Sequence, residues 1–392
     1  MKTKGENKMP VIDLWAKDGY LSTPDGNSIY FWGFSKSETG PAQLPGPHIV
    51  ARQGETININ LYNTLTEPVS ISFSGQSGIM ADGQPVQPQY TDGKLLSFFN
   101  HAEPGGMVSY TFTPSFPGTF IYESGTNPHK QVPMGLYGGM VVRPADYNPD
   151  AREFKTAYGA GTDTEYDREY LLITWEIDPD MHQAVEEGKP YLVSKFLPRY
   201  WTLNGRCAPD TMLMDGLDYL PHQPYGSMIM GQPGEKILMR YIGAGIENHP
   251  LHPHGTHTRV VAVDGRLLRN ENVDLSFKRF TVLVGAGQTY DQIYQWDDLG
   301  YTTQNPIPTI LPNLRNMGVG DAGWTMWSGS PYLGVKGDIP VGVVSYNEFG
   351  EYYFMLHSHE ELQITNWGEF PGGMMTMVAI YPSLSPAVGI LE

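Results

Sequence analysis

Cysteine is nearly absent from this chain. A single thiol, Cys207, stands among 392 residues, so no disulfide can form within the chain. That is compatible with a reducing compartment without requiring one. Cationic residues are scarce as well: 25 Lys and Arg stand against 42 Asp and Glu, a net charge of −17. Such a balance would repel a phosphate backbone and argues against nucleic acid as a partner. It promotes solubility and favours cationic ligands. No apolar run is long enough to cross a membrane. The first ten residues carry positive charge with no apolar segment behind them, so they do not read as a signal peptide. The chain as written predicts a cytoplasmic protein; removal of an upstream leader would make it an exported one. Glycine-rich phosphate loops, a nucleophile elbow and a zinc-protease helix motif are also missing.

What the chain has in abundance is turn chemistry. It contains 45 Gly and 32 Pro without a short period, which suits a β protein with many turns and long loops. Residues 11–34 read as a β-hairpin around Pro24-Asp25-Gly26-Asn27. Ile57, Ile59 and Leu61 alternate with Thr56, Asn58 and Asn60, the pattern of a strand with one buried face. Residues 110–113, 117–122 and 138–142 predict further strands. Residues 146–167, rich in Asp, Gly and Ala, read as a linker. A new strand at 170–175 opens the second half, followed by a short helix near 181–187. A long loop at 297–339 has Trp296, Trp324, Trp327 and Trp367 around it, and loops of that length usually serve a function.

The two halves share an internal order. Gln53-Gly54-Glu55 corresponds to Gln232-Pro233-Gly234-Glu235, and Ser72-Phe73-Ser74-Gly75 to His252-Pro253-His254-Gly255. Gly105-Gly106 corresponds to the glycines 285 and 287. Gly118-Thr119-Phe120 corresponds to Gly350-Glu351-Tyr352, and Gly138-Gly139-Met140 to Gly372-Gly373-Met374. Five correspondences in one order imply two copies of a β-sandwich with Greek-key connections, at residues 10–145 and 168–392.

The sharpest local signal is histidine. Four of the 11 histidines are His249, His252, His254 and His257, and a second pair, His357 and His359, follows later. Side chains alternate along a strand, so each His-x-His pair points one way. Two such pairs on neighbouring strands can converge on a metal, and imidazole alone does not choose among copper, zinc, iron and nickel. Isolated histidines that only cap strands are the plainer alternative.

These motifs resemble those of the multicopper oxidases, which are built of cupredoxin-fold β-sandwiches, and the resemblance runs from residue 11 onward. It implies an all-β fold of two cupredoxin-like Greek-key β-sandwich domains. It places His249 at a ligand position of the mononuclear electron-accepting copper, and His252, His254, His357 and His359 at ligand positions of the dioxygen-reducing three-copper cluster. The chain departs from the pattern elsewhere. Ser358 stands where a thiolate is expected and Gln363 where a histidine is expected. Ser72, Ser74 and Glu123-Ser124-Gly125 replace the histidines of the first domain. Serine is a poor ligand at neutral pH, so no blue copper site is expected, nor a full four-copper complement or conventional laccase chemistry. A reduced site of His252, His254, His357 and His359 remains, completed by Glu123 or leaving Glu123 as a structural hydrogen-bonding group. Its metal would be copper, or iron, zinc or manganese. His257 is assigned an outer, supporting position, and Met374, Met375 and Met377 core packing, with Met374 as a weak ligand the alternative. The resemblance further implies a homotrimer in which the histidines of one subunit face Ser72, Ser74 and Glu123 of the next. Three functions are consistent with these residues: a metal-dependent oxidoreductase with an unknown electron donor, a metal-storage protein, and a non-catalytic cupredoxin scaffold used for assembly.

Overall fold

The structure, a computed structural model, describes residues 9–297, 352–381, 385, 388–389 and 391. The long loop at 297–339, with Trp324 and Trp327, lies outside them apart from its first residue. The first half opens with the expected hairpin, β1 (Val11–Ser22) and β2 (Ser28–Ser35). It continues through β3 (Gly46–Arg52), β4 (Ile57–Asn63), β5 (Ser72–Phe73), β6 (Met80–Ala81) and β7 (Gln84–Pro85). A small separate hairpin, β8 (Gln89–Thr91) and β9 (Lys94–Ser97), precedes β10 (Met107–Phe112), β11 (Gly118–Glu123), the short helix α1 (Pro128–Gln131) and β12 (Tyr137–Arg143). The second half holds β13 (Arg168–Ile177), α2 (Pro179–Glu186), β14 (Tyr200–Leu203), β15 (Ile229–Gly231), β16 (Lys236–Gly243), β17 (His249–Pro253), β18 (Thr258–Val263) and β19 (Arg266–Leu267). It ends with β20 (Phe277–Arg279), β21 (Val282–Val284), β22 (Thr289–Gln295), β23 (Tyr352–Ser358) and β24 (Met375–Ile380).

The inferred repeat is visible in the sheets. The first half orders its strands β2-β1-β4-β10-β6-β7 and β3-β12-β11-β5; the second orders them β14-β13-β16-β22-β18-β19 and β15-β24-β23-β17-β21. The two lists match position by position except for the extra edge strand β21, with parallel β1–β4 and β3–β12 pairs answered by parallel β13–β16 and β15–β24 pairs. Alternation explains the packing. In β4, Ile57, Ile59 and Leu61 turn inward to meet Phe120, Tyr122, Met140 and Val142 of the facing sheet. In the second half, Ile237, Met239 and Tyr241 of β16 meet Leu251, Leu356 and Val378.

Several strands break the alternation, β12 and β13 among them. Every residue of β12 is buried, and all but one of β13. Each is covered on both faces, because the sandwiches pack there against one another: Ile121, Tyr137 and Val141 meet Leu171, Ile173, Trp175 and Ile242. Gly139 permits that approach, since a Cβ there would lie 2.7 Å from a Leu171 methyl. The segment expected to be a linker also packs. Ala157, Tyr158 and Tyr166 are buried against Leu238 and Ile293, so its Asp- and Gly-rich turns carry an apolar anchor that composition hides.

Buried charge reinforces the contact. Arg143 of β12 donates to Glu169 of β13 at 2.7 Å, and Arg240 of β16 donates to Glu169 at 2.6 Å and to Asp291 at 3.0 Å. Burial alone would raise the Glu169 carboxyl; the two guanidiniums overcome it and hold the group down to about 2. A carboxyl held below its unfolded value contributes stability that is present above about pH 4.5 and lost as pH falls toward 2. Glu169→Gln leaves two buried guanidiniums short of an anion, and we expect a loss of about 3–5 kcal/mol at neutral pH in urea denaturation. The wild-type advantage should shrink between pH 4.5 and the acid limit.

Candidate metal centre

Strand β17 pairs antiparallel with β23, setting His252 directly opposite His357 and Leu251 opposite Ser358. Opposed residues share a sheet face. His252 and His357 therefore lie on one face, joined by His254 two residues farther on. Leu251, Ser358 and His249 lie on the other, toward the interior.

On the first face, one ring nitrogen from each of His252, His254 and His357 lies within 4.8 Å of the other two. The Nε2 atoms of His254 and His357 are 3.3 Å apart. Two nitrogens bound about 2.0–2.1 Å from a tetrahedral ion would stand roughly 3.3–3.4 Å apart. The tautomer of His357 follows from its other contact. Its Nδ1 lies 2.6 Å from the Ser358 carbonyl oxygen, which can only accept, so Nδ1 carries the proton and Nε2 of the neutral ring is bare. His252 Nδ1 is held at 2.7 Å from the Thr281 hydroxyl. Burial pushes His357 down to about 4, and burial followed by neighbouring imidazoles lowers His252 and His254. All three are thus neutral at physiological pH, the state that ligates.

The remaining candidates are placed differently. His359 sits beside the three, its ring centroid 5.0 Å from that of His252, but its side chain is 54 % exposed and its nitrogens stand outside the converging set. His257 stacks on Phe280 at 4.2 Å, and Phe280 in turn borders His252. Glu123, at the end of β11 opposite Ser72, is also outside the set; burial raises its carboxyl to about 7.

His249 is fully buried on the opposite face. Its Nδ1 donates to Gln363 Oε1 at 2.9 Å, and its Nε2 lies 3.2 Å from a Glu176 carboxylate oxygen. Ser358 Oγ donates to the same Gln363 oxygen at 2.6 Å, while Gln363 Nε2 reaches the Asn248 carbonyl. The three positions that resemble a mononuclear copper site do meet in space. They meet as a closed hydrogen-bond network, and both ring nitrogens of His249 are engaged. Cys207 is buried elsewhere, its thiol pushed up by burial and bonded to the Trp201 carbonyl. Met374, Met375 and Met377 are core residues. Trp296 packs on Phe354 and Trp367 on Tyr200, so these two have different partners. Sequence reading missed Glu176 and Thr281. A lone carboxylate inside the apolar run of β13 was the one available sign of the first; the second has none.

Comparison with known proteins agrees with the fold. Residues 36–146 match the multicopper oxidase family model. L-ascorbate oxidase of Cucurbita pepo var. melopepo is 30 % identical over 70 % of this chain and 49 % of its own length. Copper resistance protein A of Escherichia coli is 26 % identical over 66 % and 43 %. The chain thus spans about half or less of the curated relatives it matches. Among solved structures, the blue copper oxidase from Nitrosomonas europaea superposes with a TM-score of 0.63 at 20 % identity, covering 95 % of this chain and 86 % of that one. The copper nitrite reductase from Nitrosomonas europaea superposes at 0.58 and 19 %, covering 98 % of each. The two sandwiches are therefore cupredoxin-like.

Because no thiolate stands near either histidine group, copper added to this protein should give only weak ligand-field absorption. An intense thiolate-to-copper band in the visible spectrum would contradict the closed network at His249, Ser358 and Gln363.

Proposed function

We propose, from its similarity to the multicopper oxidases, that this chain is a metalloprotein with a reduced site. One transition-metal ion binds His252, His254 and His357, with His359 beside it, and no blue copper accompanies it. Copper is the metal the kinship favours; iron, zinc and manganese are the alternatives the donors accept. The supporting observation is the convergence of three neutral imidazoles with the His357 lone pair fixed by a backbone carbonyl. When bound, copper would supply one-electron chemistry. The residues themselves hold the ion, keep His357 in the ligating tautomer through Ser358, and orient His252 through Thr281.

Oxidoreductase activity is the first reading. Metal binding or storage without turnover is the second, and the closed network at His249 favours it, because that network occupies the place through which electrons would enter. We further propose a homotrimer that covers the site. Phe280, Leu283 and Leu362 are each more than half exposed near the histidines, and uncovered apolar groups of this kind mark interfaces.

Elemental analysis by plasma mass spectrometry, on protein purified without added metal, tests the site. We expect about one copper or iron per chain, lost in His252→Ala with the fold retained. No metal in wild type, and no uptake of copper, iron, zinc or manganese, would sink the proposal. Oxygen consumption with a phenolic donor then separates the two readings: turnover supports the first, and reversible uptake without oxidation supports the second. Light scattering should report three times the chain mass, and a monomer at micromolar concentration would rule the trimer out.

A further inference from the structure

The turn that carries Thr281 also builds a pocket. Phe277, Lys278 and Arg279 form β20, which pairs with β18 beside the main path of its sheet, and Phe280 and Thr281 follow toward β21. With His257 they line a concavity of about 640 Å³, open on one side. That is the size of a small-molecule pocket. Part of its wall is aromatic. The His257 and Phe280 rings stack at 4.2 Å and 25°, and Phe277 lines the pocket with them. Both phenylalanines are exposed. The pocket adjoins the histidine triad: the Phe280 ring centroid lies 6.4 Å from that of His252, and the Thr281 hydroxyl holds His252 Nδ1 at 2.7 Å.

The rest of the wall is cationic, in a chain whose net charge is −17. Arg152, Arg168, Arg259 and Arg269 each pair with a carboxylate. Lys278 and Arg279 have no such partner among the described residues, although they stand side by side and exposed. The register of β20 also sets Lys278 directly opposite Arg259. Like charges so placed repel. Asp163 relieves Arg259 at 3.0 Å, and no described carboxylate relieves Lys278. The Arg279 guanidinium lies over the Phe277 ring at 5.5 Å, a cation–π contact that keeps its charge beside the aromatic wall.

Core packing does not account for these rings, since a phenylalanine placed for packing belongs inside, as Phe31 and Phe34 are. Nor does solvation of the cations require aromatic neighbours. A metal ion would be repelled here. A bare inorganic anion would be held weakly, because exposed ion pairs contribute little. An uncharged ring would leave both cations unanswered. A planar ring that carries an anionic group answers the wall and the charge together.

We infer that this pocket is a binding site for an aromatic carboxylate, its ring against Phe280 and Phe277 and its carboxylate on Lys278 and Arg279. Binding needs no metal. That such an acid is the ligand presented to the triad rests on the reduced-site reading given above; the pocket itself does not.

The test uses the full chain without metal. Benzoate, benzyl alcohol, acetate and benzylammonium are titrated separately and followed by ligand-observed NMR. We expect benzoate to bind at least about fivefold more tightly than benzyl alcohol, which has the ring without the charge, and the other two to bind more weakly still. Lys278→Gln with Arg279→Gln should bring benzoate down to the level of benzyl alcohol, and Phe280→Leu should weaken both ring ligands. Benzoate should also shift the imidazole ring-proton resonances of His257 in wild type, assigned by their loss in His257→Gln. Equal binding of benzoate and benzyl alcohol overturns the site. So does benzoate binding that survives the charge substitutions or leaves His257 unmoved. Binding that vanishes as rising protein concentration drives association gives the pocket to a second copy of the chain, and overturns it as well. His252→Ala keeps the two proposals apart: it should abolish metal uptake and leave benzoate binding in place.

Discussion

Two guanidiniums and two carboxylates out of contact with water hold the halves of this molecule in one relation. Arg240 stands at the centre, entirely buried, between Glu169 of its own sheet and Asp291 of the next strand. Thr119 of the first sandwich donates to Asp291, and Arg143 reaches across to Glu169, so neither half completes the set alone. Burying one such ion costs several kcal/mol, and only complete pairing offsets it. The contact is therefore selective as well as attractive. A sliding of β12 over β13 would leave charge unmatched in an apolar surround, where apolar groups alone would tolerate the shift.

The β17–β23 pair uses a different constraint, the two-residue period of a strand. One register gives both its faces a polar role. Outward it presents three converging imidazoles; inward it presents His249 and Ser358, tied through Gln363. The second arrangement answers a physical demand. A buried imidazole without a metal still needs partners, and Gln363 and Glu176 supply one for each ring nitrogen. The first arrangement has no such closure, since His254 and His357 have only each other on the facing side.

Much of the architecture was legible in the sequence because it is periodic. The hairpin turn at Pro24-Asp25-Gly26-Asn27, the alternation in β4 and the short helix α2 all appear close to where residue pattern alone put them. The five ordered correspondences anticipated two halves whose sheets share a strand order. His252, His254 and His357 lie together, and facing, a local property of strands, is what the His-x-His pattern could convey. It could not show that His359 would turn to solvent past the strand end. That depends on where the chain goes after the strand stops. The packed segment around Tyr158 and Tyr166 was hidden for a similar reason: three buried rings and methyls are few among many turn residues.

The network around Gln363 bears on how this chain can change. One amide oxygen serves both His249 and Ser358. A thiol at 358 alone would leave His249 committed to that amide. An imidazole at 363 alone would offer one bare nitrogen where one oxygen now accepts from both neighbours. Each step toward an electron-relaying copper is a loss until the other is present. One shared oxygen atom thus couples the two positions, so that neither changes singly without cost.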